Sequence, residues 1–89
     1  MSISYDVADQ AQQCLINIEQ ALIEAGCTLK NVVRVTYILP NKYDFEACWP
    51  VFNRYFSDVK PAATMFEAGL LDDNMKIEIQ VTARLTSTC

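Results

Sequence analysis

Polar and apolar side chains alternate from Lys76 to Ala83: Lys76, Glu78, Gln80 and Thr82 fall on one side, Ile77, Ile79, Val81 and Ala83 on the other. A period of two is that of a half-buried strand. Just upstream, residues 61–68 carry the β-favouring Thr64, Met65 and Phe66, and Gly69, Asp72, Asp73 and Asn74 are residue types that let a chain reverse. The pattern predicts an antiparallel pair. In that pair Ala63, Met65 and Glu67 share the polar face of Lys76, Glu78 and Gln80, while Ala62, Thr64 and Phe66 join the isoleucines over the core.

A different period governs the first third of the chain. From Val7, the apolar positions Ala11, Cys14, Leu15, Ile18, Ala21, Leu22 and Ala25 follow the three-and-four spacing of one helical face. Asp6 suits the N-cap, Asp9 the first turn, where the helix dipole favours a carboxylate, and Gly26 the left-handed position past the end. Residues 1–5 read equally as the end of a strand or as a tail. Residues 31–39 are dense in β-branched side chains and end at Pro40-Asn41, which predicts a central strand. Its alternation sets Arg34 and Thr36 against Val33, Val35 and Tyr37, so Arg34 joins Glu67, Lys76 and Glu78 on a polar sheet face.

Residues 44–58 return to helical spacing, with Phe45, Cys48, Trp49, Phe52, Tyr55 and Phe56 on one stripe. Pro50 interrupts it, because a proline inside a regular helix costs about 3 kcal/mol. The expectation is a short 3₁₀ turn over 43–49 and a new helix starting at Pro50 and ending near Ser57. The aromatic stripe is core packing, except that Trp49 stands at the break, where a side chain can face a cleft. The order is helix, strand, short helix, strand, strand, in one domain over residues 1–89.

Composition narrows the chemistry. A chain of 89 residues hides only roughly 60 to 65% of its unfolded surface, so a 52% hydrophobic composition leaves apolar surface that oligomerisation would use. The formal charge is −4 and no Lys/Arg cluster is present, which argues against nucleic acid as a partner. There is no histidine, and Cys14, Cys27, Cys48 and Cys89 form no CxxC pair. Zinc-type sites therefore have almost no ligands to draw on, and Ser-His-Asp and Cys-His catalysis are removed. No cofactor or metal is expected, and the cysteines read as small apolar residues. The N-terminus lacks a basic and then apolar leader, and no apolar run nears the roughly 18 residues that span a bilayer. A soluble, cytoplasmic protein with no membrane partner is the expectation.

The order Pro61-Ala62, a stretch of strand, Glu67, an apolar bend and then Lys76-Ile77-Glu78-Ile79 resembles the C-terminal signature of the RidA/YjgF family. Agreement extends through the helix end at 22–26, the strand 32–39, Asp44-Phe45 and Tyr55-Phe56, and so covers nearly the whole chain. The resemblance implies an α+β, chorismate mutase-like/YjgF fold: a small mixed β-sheet with two helices on one face. The family's N-terminal hairpin has no counterpart ahead of Ser2, so the chain is either abbreviated or a fragment. The members are trimeric enamine/imine deaminases that hydrolyse reactive 2-imino acids to 2-keto acids and ammonia, with relatives labelled endoribonuclease L-PSP or translation inhibitor. The resemblance also implies a homotrimer with small carboxylate-bearing ligands in its inter-subunit clefts.

Four ligand-binding positions carry over with changed residues. Where deaminating members place an arginine after the Pro-Ala pair, this chain has Ala63, and where a cysteine often stands it has Met65. The water-positioning glutamate falls on Gln80, and an asparagine falls on Trp49. An amide orients water but is a poor base at neutral pH. Alternation puts Ala63 and Met65 with Gln80 on the face away from the helices, with Trp49 leaning towards the same region of a neighbouring subunit. The expected cleft is an apolar wall ending in one amide, suited to a neutral or weakly polar ligand. Two readings stand: a deaminase-like enzyme with a degenerate site, and a non-catalytic trimer that binds a small molecule. A ribonuclease would need acid/base groups and a basic track that this chain lacks.

Overall fold

The computed structural model describes residues 6–84; the alternatives for residues 1–5, and Cys89, lie outside them. Helix α1 (Val7–Glu24) begins where expected, with the Ala8 amide donating to Asp6 Oδ1 at 3.4 Å. It ends in a Schellman motif: the Cys27 amide donates to the Leu22 carbonyl at 2.7 Å and that of Gly26 to the Ile23 carbonyl at 3.0 Å. This geometry needs a left-handed residue, and Gly26 supplies it at φ +84°. Val7, Ala11, Leu15 and Leu22 bury the helix's inner face. A 3₁₀ turn at Leu29–Asn31, closed by a capping box between Thr28 and Asn31, then leads into strand β1 (Val32–Leu39).

Strand β1 is central, as its composition predicts, but the pairing around it differs from the expected hairpin. Strands β2 (Ala62–Glu67) and β3 (Glu78–Ala83) lie on opposite sides of β1, in the order β2-β1-β3. Strand β2 runs parallel to β1 and β3 antiparallel to it. Helix α2 (Phe45–Phe56) is the reason. It carries the chain back along the sheet, so the next strand enters in the direction of β1, and a crossover of this kind makes a parallel pair. The connection from Ala68 to Ile77 then passes to the far edge. Gln10 anchors it, donating from Nε2 to the Asn74 carbonyl at 2.9 Å and accepting at Oε1 from the Lys76 amide at 2.8 Å.

Helix α2 also differs from expectation. It is continuous through Pro50 rather than broken there, and the 3₁₀ turn is confined to Lys42–Asp44. Cys48, Val51, Phe52 and Phe56 are buried along one side of this helix, and their packing holds it across the single lost backbone hydrogen bond.

The register decides the faces. Val35 sits opposite Ala63 and Val81, and Tyr37 opposite Met65 and Ile79, so these side chains share the face covered by the helices. Thr36 sits opposite Thr64 and Gln80, and Ile38 opposite Phe66 and Glu78; these form the uncovered face. The expectation for β3 holds. That for β2 is inverted: Ala63, Met65 and Glu67 lie on the helix side, and Ala62, Thr64 and Phe66 on the bare side. Arg34 does share its face with Glu78, but not with Glu67, which turns to the helices and accepts the Lys42 amide at 2.9 Å. Val33 leaves the alternation altogether, because the ladder shifts between Val32 and Arg34 and exposes it.

The core comprises α1, α2 and the helix-side faces of β1 and β3, with Leu15, Val35, Leu39 and Cys48 fully buried. All six residues of β2 are exposed.

Candidate ligand site

Helix α2 and the β1–β2 edge enclose an open pocket of about 370 Å³. Its aromatic wall comes from the stripe on α2 together with Tyr37 of β1. Tyr37 stacks on Phe52 at a centroid distance of 4.1 Å and an interplanar angle of 27°, and meets Phe45 edge-on at 5.4 Å. Phe45 in turn lies 6.1 Å from Trp49, at 46°. Rings in such offset and tilted pairs fix one another's positions. Phe52 is buried, while Trp49 remains 55% exposed at the mouth. The floor is Val35 and Ala63, neighbours across the parallel ladder.

The polar part of the lining is Asn53, Ser57 and Lys60. All three follow from the way α2 ends. Its last turn exposes Asn53 and Ser57, and the chain then reverses through Val59 and Lys60, whose amides donate to the Phe56 carbonyl at 3.1 and 2.9 Å. Lys60 closes this turn with φ +51°, in the left-handed region, at a cost of about 1 kcal/mol for a residue with a Cβ. Pro61 follows and leads into β2. Among the described residues the lining thus holds one cation and no carboxylate. Burial pushes the Tyr37 hydroxyl up to about 12, so it stays protonated at neutral pH.

The four residues expected at the site separate into two groups. Trp49 and Ala63 line the same pocket. Met65 lies one step further along the same face of β2, 40% exposed and outside the lining. Gln80 is on the opposite face of the sheet, where its amide donates to Glu78 Oε2 at 3.0 Å. The expected grouping of Ala63 and Met65 with Gln80 on one face is therefore corrected. Adjacent residues of β1 point to opposite faces, and Ala63 is registered with Val35 but Gln80 with Thr36. The pocket also ends in Lys60 rather than in an amide from β3. Sequence reading passed over Lys60, Asn53 and Ser57. Their signal was the polar end of the α2 stripe running directly into Lys60-Pro61.

The thiols lie elsewhere. Burial raises Cys48 to about 11, with Asp44, Asp6 and Cys14 adding repulsion, and burial followed by Glu78 raises Cys14. Both are protonated at neutral pH and neither lines the pocket. Among the described residues no group of three or more His, Cys, Asp or Glu side chains could hold a metal ion. No helix among them is long and apolar enough to cross a membrane.

Two helices packed on one face of a three-stranded mixed sheet, with an aromatic pocket at the crossover edge, define a small α+β protein of the YjgF/L-PSP fold. The profile of the Endoribonuclease L-PSP family matches residues 1–85, and the chain belongs to that family, also called RidA/YjgF. The human 2-iminobutanoate/2-iminopropanoate deaminase is 33% identical over 81 residues, covering 91% of this chain and 59% of that protein. A RutC family protein of Pyrococcus horikoshii is 37% identical over 78 residues, covering 88% of this chain and 62% of that one. Among solved structures, a YjgF/YER057c/UK114-family protein of Mycobacterium tuberculosis superposes with a TM-score of 0.88 at 27% identity, covering 94% of this chain and 72% of the other. Yeast Mmf1 gives 0.84 at 26% identity, with 91% and 65% covered. The chain spans less than two thirds of the length of the curated relatives it matches.

Proposed function

We propose that this chain binds a small organic ligand in the pocket between α2 and β2, and that it resembles the imine deaminases while hydrolysing 2-imino acids weakly. The observation that carries this reading is Ala63. It occupies the pocket floor directly after Pro61-Ala62, where the resemblance calls for an arginine to grip a substrate carboxylate in two parallel hydrogen bonds. A methyl group cannot do so. The loss is on the order of 1.5 to 3 kcal/mol for a charged hydrogen bond, and the lining offers no carboxylate to activate water in compensation.

A homotrimer is part of the proposal. The bare sheet face carries Phe66 at 55% exposure, and both outer strands leave edges that favour burial against another chain. Ala63 and Gln80, on opposite faces of one sheet, meet only if the cleft is completed by a second copy.

Ammonia release from freshly generated 2-iminopropanoate tests the reading. Wild-type protein should be slow, and Ala63→Arg should raise the rate roughly tenfold or more. Wild-type turnover equal to that of the human deaminase, unchanged by Ala63→Arg, would defeat it. The reading of a purely non-catalytic binder gains if Ala63→Arg binds substrate but releases no ammonia.

A further inference from the structure

We propose that the pocket takes an aryl carboxylate, its flat ring against Trp49 and Phe45 and its carboxylate at the Lys60 ammonium. The proposal rests on the reading of this pocket as the ligand site and adds the class of ligand. Three features of the lining lead to it. The first is the wall: four rings, those of Tyr37, Phe45, Trp49 and Phe52, are inclined to one another by 27° to 76°, so a flat ring entering the pocket finds both ring faces and ring edges to contact. Trp49 has more than half of its surface in water at the mouth, and a ring laid on it removes apolar area from both partners.

The second feature is charge. Among the described residues Lys60 is the only one with a formal charge in the lining, in a chain whose net charge is −4. An ammonium beside an apolar wall favours an anion and discriminates against a second cation. Its backbone is fixed by the hydrogen bond to the Phe56 carbonyl, so its flexible stem starts from a defined point of the lining. The third feature is space. Ala63 adds only a methyl group to the lining, and a cavity of about 370 Å³ falls within the range of roughly 300 to 1,000 Å³ typical of small-ligand sites. A single ammonium has no fork to satisfy, so it accepts a carboxylate without the fixed bidentate geometry that a guanidinium imposes.

Phenylacetate and its neutral isostere phenylacetamide separate the charge contribution from the ring contribution. Trp49 is the only tryptophan, and its fluorescence reports binding of either probe to the full-length protein. Phenylacetate should bind roughly fivefold or more tightly than phenylacetamide at low ionic strength, and added sodium chloride should narrow the gap. Lys60→Met, which keeps the length of the stem, should remove the preference, weakening phenylacetate binding by a larger factor than phenylacetamide binding. Lys60→Arg should keep the preference. Equal affinity for the two probes, a preference that survives Lys60→Met, or no response of Trp49 to either probe would overturn the proposal. Phenylacetate carries no imine, so a failure of deamination in the ammonia assay leaves this comparison intact, and a failure here leaves the ammonia assay intact.

Discussion

Replacing Pro50 with alanine distinguishes a continuous α2 from two helical segments meeting at that residue. In the continuous helix Pro50 is the sixth residue from Phe45, beyond the first turn, where the missing N–H would be harmless. It withholds a donor from the Glu46 carbonyl, and its ring crowds that carbonyl. An interior proline is about 3 kcal/mol less favourable than alanine. Two effects reduce the gain. Proline restricts the unfolded chain, worth about 0.4 to 1 kcal/mol, and Glu46 is on the exposed side of α2, where water can bond to a freed carbonyl, so the recovered hydrogen bond falls at the low end of roughly 0.5 to 1.5 kcal/mol. Pro50 is itself exposed, and no core contact is lost with it. Pro50→Ala should therefore stabilise the protein by about 1 to 2 kcal/mol. For a domain of this size, each kcal/mol raises the melting temperature by roughly 4 to 8 °C. Thermal melting followed by circular dichroism, at one protein concentration so that self-association contributes equally, measures it. Were Pro50 the first residue of a separate helix, its fixed φ would favour that start and alanine would leave stability unchanged or lower. A melting temperature at or below that of the wild type refutes the continuous helix.

Two further predictions concern stability. Gly26→Ala meets no atom within 4 Å but forces a Cβ onto φ +84°, so it should cost about 1 to 2 kcal/mol in urea unfolding; a neutral result would mean that the α1 terminus can rearrange without loss. Cys48 and Tyr37 are both raised by burial, to about 11 and about 12 from 9.0 and 10.0. Each then favours the fold below its unfolded value, and that contribution is lost as pH rises through the folded one. Stability should fall from about pH 9 upward, Cys48→Ser should move the onset of the fall to higher pH, and a flat profile to pH 11 would contradict the burial of both groups.

Much of the fold was legible because its signals are local. The Asp6 cap, the Gly26 terminus and the three-and-four spacing of α1 each involve residues within one or two turns, and β1 was readable as central from its β-branched run. Pairing was not, because turn residues between two strands do not say whether a third strand lies between them. Only the return of the chain through α2 decides it. The faces of β2 were illegible for a different reason. Its alternating sets are Ala62, Thr64 and Phe66 against Ala63, Met65 and Glu67, nearly equal in apolar content, so the period of two does not choose which set faces the helices. The exposure of all six residues reflects the same ambiguity. In β3 the sets differ sharply, Ile79 and Val81 against Glu78 and Gln80, and there the reading holds. At Pro50 the local rule for proline predicts a break, and the tertiary packing of Phe52 and Phe56 outweighs it.

The placement of Ala63 and Gln80 makes the proposed assembly testable by mixing. In a single chain these positions cannot meet, since β1 carries Val35 and Thr36, their respective ladder partners, on opposite faces. A head-to-tail ring would bring the helix-side edge of one copy to the bare face of the next, so that every cleft combines residue 63 of one copy with residue 80 of its neighbour. Suppose Ala63→Arg and Gln80→Glu together restore imine hydrolysis. Two chains carrying one substitution each, co-refolded in equal amounts, then form clefts of four kinds by random assortment. About one quarter hold the arginine and the glutamate together. The mixture should therefore show about a quarter of the ammonia release of the double variant, while each single variant alone falls well below that, Ala63→Arg keeping only its own gain over the wild type. An intra-chain site gives a mixture no better than the mean of the two single variants, because no chain in it carries both groups. That outcome would remove the shared cleft and leave the pocket between α2 and β2 as the whole site, with Lys60 its only charged contact.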